Sequence, residues 1–456
     1  MAQSAALPVI DISGFRAPDA DRDAFVAELR SAAHEVGSTE GDHVSSTRLR
    51  PALVVLGAAA LLTASVAVPQ ASAAGRTSTS LAWYDATAET IATAGASTQI
   101  TNSRTWAVSW LAAARATRSV PTGVERGAYQ EAALAGAVHR ALVTLVPSRA
   151  EQLDATYKET LDAIPDGPAE ERGVAAGEKQ ADLVLKSREG DGLDSASVNA
   201  PYPVKPAAPG VWQPTPPAYA PAAQYGNRLA KPFLLRTQSQ FRLGPPPALD
   251  SERYAADLAE VRAYGAADSA VRSAHQTETA TFWLGSSLTL YTEPLRVALS
   301  RTDQGIAGQA RLVALFHVAL VDTQIATSDS KYAYERWRPV TAIRTGTIDP
   351  DPDWTPLHTT PAHPDYPSGH NTYAGAAQTV LSVLVGPRTA PFDLTSPTAP
   401  GVTRTYTIWK QLSDENVDAR VFSGIHTRSA DEAGITLGTN VARYVLQNAG
   451  RLLAPR

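Results

Sequence analysis

The sequence predicts an all-α protein, a multi-helix bundle crossed by one extended, proline-rich strap. Two observations lead to this prediction. Beyond residue 80 most segments have apolar residues at three- and four-residue spacing, the period of an amphipathic helix. Between residues 199 and 250 that period stops, and prolines recur every few residues among aromatic side chains. We find no alternating strand runs of useful length.

Composition limits which kinds of core, partner and metal site the chain can have. The chain has 456 residues, 44% of them hydrophobic, which is enough for a large core. Its net charge of −5 gives no reason to expect a nucleic-acid partner. The absence of cysteine excludes disulfides and thiolate metal ligands. The only methionine is Met1, a bias that fits compositional drift as well as an enzyme releasing an oxidant.

The first 43 residues do not match the rest of the chain. Residues 7–14, followed by an amphipathic segment over 21–36, resemble the opening strand and helix of isopenicillin N synthase-like 2-oxoglutarate oxygenases. That resemblance covers residues 1–36 and stops at Gly37. We therefore expect residues 1–43 to be an oxygenase-like fragment outside the functional fold, arising from a fusion or a misplaced start.

Residues 44–75 have the three parts of a secretory signal peptide. A basic flank with Arg48 and Arg50 precedes an apolar run over 53–68, and Ala71-Ser-Ala73 resembles a cleavage site. The apolar run is short for a membrane span. We expect this segment to direct secretion, with the mature chain beginning near Ala74 and having no membrane span.

The remaining chain divides into three predicted regions. Residues 76–198 form an N-terminal helical layer without visible chemistry, residues 199–250 form the strap, and residues 251–456 form the bundle that carries the catalytic site. In the last region the spacing of apolar residues predicts helices over 251–266, 269–283, 301–327, 369–385 and 431–447.

Cationic and imidazole side chains are concentrated in three short clusters, which run from Lys331 to Pro339, from Pro367 to His370 and from Arg420 to His426. If the first cluster is helical, Lys331 and Arg338 share a face about 10 Å apart along the axis. Pro339 cannot continue such a helix, so Arg338 is expected at its end.

The second and third clusters place polar groups at predicted helix starts. Ser368 is the expected N-cap of a helix from Gly369, with His370 in its first turn, where unpaired N–H groups favour an anion. A capping box over residues 429–432 predicts that His426 lies in the turn before the last helix. Together, three cations, a hydroxyl and two imidazoles predict a site for a small tetrahedral oxyanion.

The same clusters resemble a known signature. Lys-(six residues)-Arg-Pro, Pro-Ser-Gly-His and Arg-(five residues)-His are similar, in order and spacing, to the vanadium-dependent haloperoxidases and the related type 2 phosphatidic acid phosphatases. Residues 78–89, 210–217 and 261–283 also resemble secreted bacterial haloperoxidase-like proteins, so the similarity covers roughly 76–456. Two positions depart from the pattern. Ala419 replaces a serine, and Ala430 stands where an aspartate often orients the last histidine, which leaves Asp431 as the candidate for that role.

The resemblance implies a role for each site residue. His426 coordinates the vanadium of vanadate, His370 acts as acid and base, and Lys331 polarises peroxide. The other oxygens of vanadate, or of phosphate in the same site, are bound by Lys331, Arg338, Ser368, Gly369 and Arg420. The substrates implied are hydrogen peroxide, a halide and a small organic acceptor. His363 stands where bromoperoxidases carry histidine, which favours bromide over chloride, and Trp337 is a candidate pocket residue.

Other functions compete for the same residues. An acid phosphatase would use His426 as nucleophile and His370 as the acid for the leaving alcohol, and a non-catalytic relative would only bind the oxyanion. A metal-cation site is suggested by four histidines (His358, His363, His370 and His426), but neighbouring cations oppose it. An iron triad of His363, Asp365 and His426 needs a strand-built barrel. Because no apolar run of spanning length is evident after residue 75, the peroxidase is favoured over membrane phosphatases.

Overall fold

The computed structural model describes residues 78–454, and the predictions for residues 1–43 and 44–75 fall outside the described residues. The all-α class is confirmed, with one added hairpin. The helices are α1 (Thr79–Ala94), α2 (Gln99–Ala116), α3 (Arg126–Leu145), α4 (Ala150–Asp162), α5 (Pro168–Ser187), α6 (Ser195–Val198), α7 (Glu252–Gly265), α8 (Ala274–Phe282), α9 (Ser287–Arg301), α10 (Ile306–Tyr334), α11 (Pro339–Thr345), α12 (Gly369–Val385), α13 (Trp409–Phe422), α14 (Arg428–Gln447) and α15 (Ala449–Leu453), and the strands are β1 (Arg388–Ser396) and β2 (Ala399–Ile408).

Helix α10 is the central element of the bundle. It packs against α2 of the N-terminal layer and against α12 and α14 of the C-terminal region. Of the described helices it alone has the length and mean hydropathy, 1.3, to cross a membrane, contrary to the expectation that no such run follows residue 75. In the apolar window 72% of the residues are buried inside the protein, as in the core helix of a globular bundle. One continuous core joins the helices of residues 79–198 to α8, α9, α10 and α12–α15, whereas α7 and α11 share a second apolar cluster.

Two glycines bring α14 close to α12. A Cβ on Gly434 would lie 2.7 Å from the carbonyl oxygen of Ser368, and one on Gly438 would collide with the carbonyl of Thr372. Only glycine therefore allows the backbones of these two helices to approach so closely. The contact sets the start of α12 beside the start of α14, which brings the second and third clusters together.

The proline-rich strap is ordered along the outside of α10. Asp322 of α10 accepts hydrogen bonds from the backbone N–H groups of Phe233, Leu234 and Leu235, at 2.6, 2.8 and 3.1 Å. Further along the strap, Arg242 donates two hydrogen bonds of 2.8 Å to the Asp329 carboxylate. The strap is thus attached to the helix that carries Lys331.

The hairpin was missed by the sequence analysis. Strands β1 and β2 pair antiparallel, with Phe392 opposite Tyr406. Inward-facing Phe392 and Leu394 alternate with exposed residues, but the run is short and contains threonine and charged residues, so its period-two signal is weak. Helices α9 and α13 were also not predicted.

Several predicted helix boundaries were wrong, one helix at both ends and another at its start. The helix predicted over 301–327 runs from Ile306 to Tyr334, and the last long helix begins at Arg428, so Ser429 is not its N-cap. The N-cap position belongs to Thr427. Helices α7 and α12 agree with the prediction within one or two residues.

His317 is a buried imidazole on α10 without a hydrogen-bond partner among the described residues. It is 1% exposed and stacks on Trp106, with ring centroids 4.6 Å apart and an interplanar angle of 8°. Burial lowers the pKa of His317 from 6.5 to about 3. Its neutral form is therefore the one that fits the core.

This burial predicts an acid-sensitive stability. Since the unfolded chain binds the proton near pH 6.5 and the folded chain does so only near pH 3, the stabilisation is present above pH 6.5 and is lost as pH falls. His317→Phe keeps the stacked ring and removes the titration. Between pH 7 and pH 5 the wild type should lose about 2 kcal/mol of unfolding free energy more than the variant, measured by urea denaturation. His275→Gln, at a 77%-exposed imidazole, is the control. Equal pH slopes for wild type and His317→Phe would contradict the prediction.

Candidate active site

Lys331 and Arg338 reach the same region from two separate helices. The prediction of one helix spanning both was wrong: α10 ends at Tyr334, Glu335 has the left-handed φ of 51°, and Arg338 is the N-cap residue of α11, with Pro339 at its first position. The strap holds this turn, because Trp212 N–H donates to the carbonyl of Glu335 and Trp337 N–H to that of Gly210. The reversal between the helices turns Arg338 back toward Lys331.

Helix α12 begins at the site, as predicted. Ser368 occupies its N-cap position, but its hydroxyl makes no cap hydrogen bond, so the first turn keeps free backbone donors. The backbone N–H of Ser368 donates to the carbonyl of Ala430 at 2.9 Å. Gly369 leaves open space, since a Cβ there would meet only Cε of Lys331 at 3.9 Å.

His426 is oriented by Asp365, which the sequence analysis had considered only as an iron ligand. Nδ1 of His426 lies 2.6 Å from Oδ1 of Asp365, and the Thr427 hydroxyl donates to Oδ2 at 2.7 Å. Burial raises the pKa of Asp365, against the opposing pull of Arg338 and Thr427. As a carboxylate Asp365 accepts both bonds, which places the His426 proton on Nδ1 and the lone pair on Nε2.

Arg338 lies between the two imidazoles of this region. Its Nη1 is 3.1 Å from Nε2 of His426, and its Nη2 is 3.0 Å from Nδ1 of His363. It also donates to the carbonyls of His363 and Ile425, each at 2.6 Å. Burial, with the cations nearby, lowers the pKa of both histidines well below 6.5, so both are neutral.

Three cations are buried together at the site. Lys331, Arg338 and Arg420 are each at most 1% exposed. Burial lowers the pKa of Arg338 and of Arg420 to about 10, and burial together with Arg338 lowers that of Lys331 well below 10.5. Lys331 donates to the carbonyls of Pro364 and Asp365, at 2.6 and 3.1 Å.

Arg420 is the least satisfied of the three. Its only hydrogen bond to a described residue is a 3.3 Å contact from Nη1 to the carbonyl of Trp283, and Nε has no partner among them. A guanidinium carries five N–H donors, and burying them unpaired is costly. The geometry of Arg420 therefore calls for an additional acceptor.

His370 faces the loop that joins α8 to α9. Its Nε2 lies 2.9 Å from the carbonyl oxygen of Gly285, and because a carbonyl only accepts, Nε2 carries the proton. Nδ1 then has the lone pair and makes no hydrogen bond to a described residue. Burial, followed by the charge of Arg420, lowers the pKa of His370 to about 3. His370 is therefore a neutral proton acceptor at neutral pH.

Two candidate residues have partners other than those expected. Asp431 accepts a 2.7 Å hydrogen bond from Asn371, and it is Asp365 that contacts His426. Burial raises the pKa of Asp431 well above 3.8. Trp337 donates to the Tyr254 hydroxyl at 2.8 Å within a separate apolar cluster, so it is not part of the oxyanion pocket. Nothing in the sequence indicated that Asp431 would contact Asn371 or that Trp337 would contact Tyr254.

The arrangement opposes both metal-cation alternatives. Within residues 78–454 no three His, Asp or Glu side chains form a cluster suited to a metal ion. His363, Asp365 and His426 do lie near one another, but the Arg338 guanidinium occupies the space between the two imidazoles. A cation at that position would repel a ferrous ion.

The fold and site define a helical bundle with three buried cations gathered at one site, and comparisons with known proteins show which class it is similar to. Residues 311–455 match the family model of the VCPO second helical-bundle domain. The vanadium chloroperoxidase of Curvularia inaequalis is 28% identical over 265 residues, which are 42% of this chain and 43% of that protein.

Solved structures match over a longer region. A bacterial vanadium-dependent iodoperoxidase has a TM-score of 0.66 at 25% identity and covers 80% of this chain and 94% of its own. Apo and holo forms of a bacterial vanadium-dependent chloroperoxidase share the fold at 16% identity, with TM-scores of 0.61 and 0.59; they cover 77% and 83% of this chain and 93% and 95% of their own. Residues 311–455 thus match the second helical-bundle domain of this class, and the described part of the chain has the fold of the bacterial vanadium-dependent haloperoxidases.

The contact between Asp365 and His426 generates a prediction. Asp365→Asn removes the carboxylate that fixes the imidazole, so vanadate affinity should fall about 10- to 100-fold, as is usual for partners of metal-bound histidines. Equilibrium dialysis with vanadate measures the loss. Asp431→Asn is the comparison, because Asp431 contacts Asn371 instead, and it should have a clearly smaller effect. A larger loss for Asp431→Asn would return the orienting role to that residue.

Proposed function

We propose that this protein is a vanadate-dependent haloperoxidase that oxidises a halide with hydrogen peroxide to hypohalous acid. The observation that carries the proposal is the buried, under-bonded guanidinium of Arg420 beside Lys331 and Arg338. Similarity to the vanadium-dependent haloperoxidases supports the choice of vanadate as the oxyanion. We also propose that the protein acts outside the cell, on the basis of the signal-like residues 44–75.

The residues present fit a vanadate ion. Three buried cations face only two buried carboxylates, Asp365 and Asp431, so the site has an excess of positive charge that a multiply charged oxyanion would balance. Arg420, the backbone donors at the start of α12 and the space beside Gly369 supply donors and room. Nε2 of His426 accepts from Arg338 in this structure, and its lone pair would hold vanadium once Arg338 donates to an oxygen of vanadate instead.

When bound, vanadate supplies a Lewis-acid centre at which peroxide becomes electrophilic toward a halide. The protein residues have separate tasks. Lys331, Arg338 and Arg420 hold and neutralise the oxyanion, Asp365 keeps Nε2 of His426 free of a proton, and Nδ1 of His370 accepts the proton that hydrogen peroxide must lose. We propose bromide as the preferred halide over chloride, because His363, which contacts Arg338, stands where the resemblance places the histidine of bromoperoxidases.

Replacing each of the two histidines should impair a different step of the proposed reaction. His426→Ala removes the lone pair proposed to hold vanadium, so vanadate retention and halide oxidation should be lost together. His370→Ala should leave vanadate bound but lower kcat by about 10²- to 10⁴-fold, the usual contribution of a general acid–base group. Equilibrium dialysis and bromination kinetics on the same preparations separate the two effects. If His370→Ala abolished vanadate binding while His426→Ala retained it, the assignment of roles would be reversed.

A direct assay decides between the peroxidase and the phosphatase that the same residues permit. The full chain, loaded with vanadate, should brominate monochlorodimedone when given bromide and hydrogen peroxide, and kcat/KM should be higher for bromide than for chloride. The same preparation without vanadate should hydrolyse p-nitrophenyl phosphate slowly or not at all. Rapid ester hydrolysis that vanadate merely inhibits, with no peroxide-dependent bromination, would establish the phosphatase instead.

A further inference from the structure

A large cavity lies on the side of the bundle formed by α1, α2, α9 and the hairpin. Its volume is about 1120 Å³, and it is open on one side. That volume is ample for an organic molecule the size of a substituted aromatic. The roles assigned so far to the oxyanion-site residues do not require such a space.

Three residues of the cavity lining are connected to the oxyanion site through a neighbouring residue or along a helix. Ser286 lines it and directly follows Gly285, whose carbonyl accepts the His370 hydrogen bond. Ala223 also lines it, and its N–H donates to the carbonyl of Ala362, the residue before His363. Gln324 lines it from α10, seven residues before Lys331 on the same helical face. The cavity therefore adjoins the His370 side of the site.

The lining combines an apolar surface with fixed amides. Ile91, Ala92 and Pro397 supply accessible aliphatic area, which suits the face of an aromatic ligand, and Trp106, Ile100 and Leu288 lie behind them, each at most 5% exposed. The amides are held in place: Gln99 Nε2 donates to Gln324 Oε1 at 3.1 Å, and Gln99 Oε1 accepts from the Ser286 hydroxyl at 2.9 Å. Such a rigid, mixed lining is typical of a small-molecule site.

The charges around the cavity have one sign. Three carboxylates line it and no lysine or arginine does. Glu89 is paired with Arg149 at 3.0 Å, and Asp393 accepts from the Thr405 hydroxyl at 2.6 Å. Glu293 differs from both: it is half-buried and makes no hydrogen bond or ion pair with a described residue. The nearby Arg296 is occupied by two hydrogen bonds to Asp85, at 2.6 and 2.8 Å.

We propose that this cavity binds the organic acceptor, and that the acceptor is an electron-rich aromatic bearing an ammonium group. The aromatic ring lies against the aliphatic lining, and the ammonium group is the counter-ion of Glu293. An anionic acceptor is disfavoured, because it would meet carboxylates without a compensating cation. The assignment of the ligand as acceptor rests on the proposed function, whereas its binding does not.

The reaction that would follow is balanced. Hypobromous acid, formed from bromide, hydrogen peroxide and one proton with release of water, gives its bromine to a ring carbon of the acceptor. A C–Br bond forms, the O–Br bond breaks, and the ring carbon loses its proton. That proton and the released hydroxide form water. The ring is oxidised by two electrons, and bromine is reduced from its +1 state to bromide level.

The test compares three phenols that differ in charge: tyramine (cationic), 4-hydroxyphenylacetamide (neutral) and 4-hydroxyphenylacetate (anionic). Binding to the full chain is measured by calorimetry at neutral pH without vanadate, halide or peroxide. Tyramine should bind most tightly and the acetate least. Glu293→Gln should weaken tyramine binding about threefold to tenfold and leave the amide unchanged, as expected for one half-buried ion pair.

Two further variants locate the site. Thr289→Trp places a large side chain at the exposed cavity rim and should abolish binding of all three phenols. Asp250→Asn, at an exposed carboxylate that does not line the cavity, is the matched control and should change nothing. The proposal is overturned if none of the phenols binds, if the acetate binds as tightly as tyramine, or if Thr289→Trp has no effect. Failure of bromination with selective tyramine binding intact would overturn the peroxidase and leave the binding site standing.

Discussion

The burial of three cations in one small space is the constraint on which the rest of the structure depends. Lys331, Arg338 and Arg420 repel one another, and taking each out of water costs free energy that a single surface ion pair cannot offset. The chain meets part of this cost with backbone carbonyls, from Pro364, His363 and Ile425, and with two buried carboxylates. The part that it leaves unmet, at Arg420, is the basis for proposing that the site receives an anion.

The two imidazoles of the site differ because their hydrogen-bond partners differ in position. His426 has an acceptor at Nδ1, so its lone pair lies at Nε2, while His370 has an acceptor at Nε2, so its lone pair lies at Nδ1. Burial, and after it the charge of the surrounding cations, lowers the pKa of both rings and keeps them neutral. One ring is thereby suited to holding a metal centre and the other to accepting a proton, without any difference in residue type.

The strap and the loop after α8 close the site from different directions. Residues 210–212 of the strap form backbone hydrogen bonds with the turn that carries Arg338, so the backbone on that side is held in place. On the other side, Gly285 touches His370 and is followed at once by the wall of a large cavity. A rigid binding side and an open approach side suit a site that must retain one oxyanion while exchanging other small molecules.

The sequence by itself determined the helical class and singled out the residues proposed for the oxyanion site, because both depend on local pattern. Apolar spacing sets the helices, and helix ends place Ser368, His370 and His426 where backbone donors are free. Only the tertiary structure decided that Asp365, rather than Asp431, contacts His426 and that Trp337 turns away to Tyr254. These contacts depend on the close approach of α12 and α14 at Gly434 and Gly438, and on the chain reversal at Glu335. Distances between segments far apart in the chain are set by packing, which spacing along the sequence does not encode.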